Sequence, residues 1–106
     1  MKRMTDMTNQ FNKNSWVYVI VQHPESLPSI FGLHNEEDDI SYIPFFKTRD
    51  DADDYFDDLV LKKRREYQVE AMLFEELISD AKSNGFSVFL MNGKGEILEN
   101  IPVKFL

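Results

Sequence analysis

The segment "SWVYVIVQ", Ser15 to Gln22, constrains this chain more than any other. A strand turns alternate residues to opposite faces. Trp16, Tyr18 and Ile20 fall on one side here, and Val17, Val19 and Val21 on the other. Both faces are apolar, so both need cover, as in strands buried within a layered domain. "FSVFLM", Phe86 to Met91, makes the same demand, with Phe89 and Met91 backing Val88 and Leu90. A chain of 106 residues, 42% hydrophobic and with nine Phe, has the material for one such core.

The remaining pattern supplies partners for these strands. "HPESLP" reads as a loop, and Ile30–His34 with Ile40–Lys47 as two strands joined by a polar acidic connection. Pro44 cannot donate to a ladder, which places its strand at an edge or at a bulge. Ala52, Tyr55, Phe56, Leu59 and Val60 recur at helical spacing, with Thr48 placed as the N-cap and Asp51 three residues on. "KKRR", Lys62 to Arg65, puts positive charge where the helix dipole favours it. "YQVEAMLF" alternates as a strand. Phe74, Leu77, Ile78 and Ala81 mark a second helix, stopped at Asn84-Gly85. "NGKG" reads as a hairpin turn and "EILEN" as a short returning strand. The order β-β-β-α-β-α-β-β predicts an α+β domain: a mixed, largely antiparallel sheet with two helices packed on one face. Residues 1–14 are polar and aperiodic, which predicts a flexible N-terminal tail ahead of a single domain over 15–106.

"TRDDADDYFDDL", Thr48 to Leu59, then poses the question of chemistry, because it holds six aspartates. Carboxylates suit hard cations, but an EF-hand loop needs Gly at its sixth place and Glu at its twelfth. Counted from Asp51, those places hold Phe56 and Lys62. Acids along one convex helix face do not wrap an ion, so no metal is expected. Asp50/Asp54, Asp53/Asp57 and Asp54/Asp58 are like-charged neighbours, each unfavourable by roughly 0.2–0.5 kcal/mol. Such a face is either merely solvated or a docking surface for a basic partner.

Other constellations are weaker. "HNEED" gathers His34, Glu36 and Glu37 on a hairpin loop, the pattern of an acid–base or metal site, or of an ordinary polar loop. His23 falls on a different loop. "NGKG" does not match a phosphate loop, and no Ser sits in a nucleophile elbow. The chain has no cysteine, which excludes disulfides and thiolate chemistry. A formal net charge of -7 repels phosphate backbones and anionic lipid. The N-terminus lacks the apolar run of a signal peptide, and "WVYVIV" is too short to span a bilayer. A cytoplasmic protein without cofactors, nucleic acid or membrane is the expectation.

"YIPFFKTRDDADDYF", Tyr42 to Phe56, is a strand with Pro and aromatics feeding a helix that carries an Ala and an aromatic. In this it resembles SseB-like N-terminal domains and related small bacterial families of unknown function. The resemblance implies a small α+β regulatory or interaction domain and transfers no catalytic residue. The function expected is therefore a non-catalytic binding or regulatory module. Two alternatives stay open: an acidic decoy that uses the Asp50–Asp58 face to occupy a basic protein or a nucleic-acid-binding groove, and an enzyme using His34 with Glu36 or Glu37. Two helices on one face would leave the other bare, which predicts a homodimer through Trp16, Tyr18, Phe89 and Met91.

Overall fold

The computed structural model describes residues 14–22, 29–63 and 67–101, the side chains at 29 and 59–63 excepted. In chain order the elements are β1 (Trp16–Gln22), β2 (Ser29–Ile30), β3 (Leu33–Asn35), β4 (Ile40–Phe45), α1 (Arg49–Lys63), β5 (Tyr67–Leu73), α2 (Phe74–Asn84), β6 (Ser87–Met91) and β7 (Ile97–Ile101). The expected α+β class and mixed pairing are present. Strands β2-β1-β5 form one sheet and β3-β4-β6-β7 the other. Only β4 and β6 pair in parallel among the described strands. Tyr18 joins the two sheets through reciprocal backbone hydrogen bonds with Phe46, at 3.0 and 2.9 Å.

The single strand expected at Ile30–His34 is two strands, because the chain breaks at Phe31–Gly32 to pass from the edge of β1 to the edge of β4. Gly32 permits the break: a Cβ there would stand 2.5 Å from the Phe86 ring. Pro44 is not on an edge strand, since β4 lies between β3 and β6. Its missing N–H costs no ladder bond, however. Pro44 turns to the same side as Phe46, past the last β3 pair (Leu33 with Tyr42) and before the bridge to Tyr18.

The two faces of the sheet carry different helices, which corrects the expectation that both helices share one. Val17, Val19, Ile43, Phe45, Val88 and Leu90 form a buried cluster with Phe74, Leu77, Ile78 and Ala81 of α2. Ile20, Phe46, Phe89 and Met91 point the opposite way and pack with Ala52, Tyr55 and Phe56 of α1. The demand for two-sided cover is met within one chain. The interface expected from a bare face therefore loses its premise: Phe89 and Met91 are 6% and 3% exposed beneath α1. Tyr18 is half-buried with the Arg49 guanidinium 5.6 Å over its ring, and only Trp16 remains well exposed.

Local ends follow the residues that make them. Thr48 Oγ1 accepts the Asp51 N–H at 3.1 Å, the N-cap of α1. Gly85 caps α2 with φ 74, where an L side chain is disfavoured, and its N–H meets the carbonyls that the helix end leaves open. Residues 1–13 of the expected tail, His23 and residues 102–106 lie outside the described residues. Among those described, no helix is long and apolar enough to cross a membrane.

Candidate functional site

Helix α1 holds the largest group of candidate residues. Its apolar stripe turns inward: Ala52 is fully buried, and Tyr55 packs on Phe46 with ring centres 5.4 Å apart. Asp50, Asp54, Asp57 and Asp58 are exposed in consequence, while Asp51 and Asp53 are half-buried. Asp51 has a partner that its spacing did not announce. Its Oδ1 accepts the Gly93 N–H at 3.3 Å, so the turn between β6 and β7 docks on the first turns of the helix. Gly93 fits there because a Cβ would lie 2.7 Å from the Asp54 Cβ. Among the described residues, Asp50, Asp53, Asp54 and Asp57 make no ion pair. No three His, Asp or Glu among them are grouped to hold a metal ion.

The hairpin of β3 and β4 holds the second group, and its partners differ from those expected. His34 lies opposite Ser41 in the ladder, and its Nδ1 is 3.0 Å from Ser41 Oγ. Its Nε2 is 3.3 Å from Asp39 Oδ1. Glu36 and Glu37 sit on the turn instead, where Asn35 Oδ1 accepts the Glu37 N–H at 3.0 Å and fixes the bend. Asp39, at φ 55, is the residue the turn brings back to the imidazole. Serine, histidine and aspartate placed side by side is the composition of a nucleophile with its base. The setting opposes that chemistry. His34 and Asp39 have side chains 46% and 93% exposed, so water screens the charges that such an arrangement must stabilise.

A third group was not foreseen as a group. Tyr42, Tyr55 and Tyr67 converge on the α1 side of the sheet. Tyr42 stacks on Phe89 with ring centres 4.3 Å apart, and Tyr67 meets Phe31 edge-on at 5.5 Å. Burial pushes the Tyr55 hydroxyl above its ordinary pKa, with Tyr42, Asp58 and Tyr67 adding to the rise. Burial raises Tyr42 as well. The Tyr42, Tyr55 and Tyr67 rings pack in the cluster beneath α1.

Asp39, Ser41 and Asp51 are thus the site-forming residues that spacing alone missed. The glycine pair in "NGKG" was the available signal for Asp51, since a glycine at a turn often marks a close approach. Comparison with protein families, with characterised proteins and with solved structures finds no match to the chain.

Proposed function

We propose that this chain is a non-catalytic binding module whose partner is a basic protein, docked on the carboxylates of α1. One observation carries the reading: Asp50, Asp53, Asp54 and Asp57 lie along one helix without an ion pair among the described residues. Their mutual repulsion is a standing cost that a cationic partner relieves. The chain's net charge of -7 extends the attraction beyond the helix and steers such a partner from a distance. An interaction role also suits the SseB-like resemblance of Tyr42–Phe56. Self-association through the sheet is no part of the reading, since Phe89 and Met91 are occupied by α1.

The test is affinity capture from the native host's lysate at low and high salt, with proteins identified by mass spectrometry. Wild type is compared with a variant carrying Asp50→Asn, Asp53→Asn, Asp54→Asn and Asp57→Asn. The expected result is a set of basic proteins, released by salt and missing from the variant. An identical set held by the variant, or one resistant to salt, contradicts the proposal.

A further inference from the structure

On the face opposite α1, an open groove of about 360 Å³ runs between α2 and the β2-β1-β5 sheet. Its floor is apolar, made by Val19, Val21, Ile30 and Met72. Its margins carry Glu70 from β5 and Glu76 and Asp80 from α2, with no Lys or Arg among the described lining residues. The volume is near the low end of the roughly 300–1,000 Å³ typical of small-molecule pockets. Because the groove is open to solvent, it suits side chains of a passing segment better than an enclosed small molecule.

Among the described residues, the backbone beside the groove is also open to a further strand. Tyr18 directs its N–H and C=O to Phe46, and the Ile20 carbonyl accepts the Phe31 N–H. Alternation then turns the backbone groups of Val17, Val19 and Val21 toward β5, where they face Met72, Glu70 and Gln68. The intervening residues Val69 and Ala71 therefore aim their N–H and C=O off the outer edge of β5. That edge has no strand beside it among the described residues. An edge with no described strand beside it, next to a groove, is the arrangement in which an extended segment adds as a further strand.

We infer that the edge of β5 and the adjoining groove take an extended basic peptide segment of a partner protein, with lysine or arginine alternating with aliphatic residues. Backbone bonds to Val69 and Ala71 hold the segment in register. Its long cationic side chains lay their methylene stems on Met72, beside the edge, and bring their charges to Glu70, Glu76 and Asp80. Charge selects this occupant over a second copy of the chain, which would bring its own excess of carboxylates against the same three. The inference shares with the proposed function only the basic character of the partner, because α1 lies on the other face.

The experiment uses the full chain and an eight-residue peptide alternating lysine and valine, with a glutamate–valine peptide as control. Binding is followed by fluorescence anisotropy of the labelled peptide at moderate salt. The inference predicts saturable one-to-one binding of the lysine peptide only. It predicts about tenfold weakening or more by Glu70→Gln, Glu76→Gln and Asp80→Asn combined. Methylating alternate backbone nitrogens of the peptide should weaken binding similarly, whereas Asp38→Asn, on the exposed turn between β3 and β4, should change it less than about twofold. Circular dichroism confirms that each variant is folded. Weakening by Asp50→Asn with Asp57→Asn, and none by the groove variant, overturns the groove and leaves the proposed function standing. Loss with neither variant, or absence of binding, overturns the inference. Doubling of mass in light scattering without peptide uptake assigns the edge to a second copy and overturns it as well.

Discussion

Gly93 shows how one missing side chain joins two distant parts of the chain. Its N–H donates to Asp51 and its Cα faces Asp54 so closely that a Cβ would meet the Asp54 Cβ at 2.7 Å. The obstructing atom is next to the backbone and cannot swing aside. Gly93→Ala should therefore destabilise the fold by about 1–3 kcal/mol, the usual range for overpacking. Urea unfolding measures this, and an unchanged midpoint would show that the turn does not rest on α1. Thr48→Ala removes the cap on the Asp51 N–H and should cost about 1 kcal/mol by the same measurement. Tyrosine titration gives a third check at this scale. The folded state holds the Tyr55 and Tyr42 protons more tightly than the unfolded chain does. Their contribution is complete below the ordinary tyrosine pKa of about 10 and is lost as pH rises through the elevated folded values. Melting temperatures should fall above pH ~10, and the fall should be shallower in Tyr55→Phe. An equal slope in both proteins would contradict the assignment.

At the scale of elements, α1 is a helix held by its inner face against its own charge. Asp50/Asp54 and Asp53/Asp57 repel across one turn, while Ala52, Tyr55 and Phe56 anchor the helix to the sheet. Asp57→Asn should raise the melting temperature slightly, and the gain should shrink as salt screens the wild type. A loss of stability would mean that Asp57 has a structural partner. Periodicity made this helix legible, and likewise the capped end of α2 at Gly85 and the hairpin at "NGKG". What it could not convey was which face each helix takes. Val17, Val19 and Val21 are as apolar as Tyr18 and Ile20, so the pattern says that both sides are covered and not by what. The side on which a connection crosses is decided by the whole path of the chain, here the turn from Phe46 into α1 and from Leu73 into α2. For the same reason Asp39 and Ser41 were invisible as partners of His34. Their approach depends on strand register and on a left-handed residue at the turn.

Among the described residues the molecule is a two-sided sheet with a helix on each face, leaving a predominantly acidic exterior that includes α1 and the margins of the groove. With Phe89 and Met91 buried, light scattering of the purified chain at moderate concentration should give the mass of a monomer. A stable dimer there would mean that Trp16, Ile97 and Leu98, the exposed large apolar residues among those described, form a contact of their own. Under the proposed function the chain binds cationic protein through its carboxylates and uses no chemistry at His34. The most direct test is titration of the isotope-labelled chain with a lysine-rich peptide, followed by amide resonances. Binding through carboxylates predicts saturable, salt-sensitive shifts at Asp50–Asp57, at Gln68–Met72 or at both, with the His34–Ser41 hairpin unmoved. Shifts confined to that hairpin, or no saturable shift at all, would contradict it.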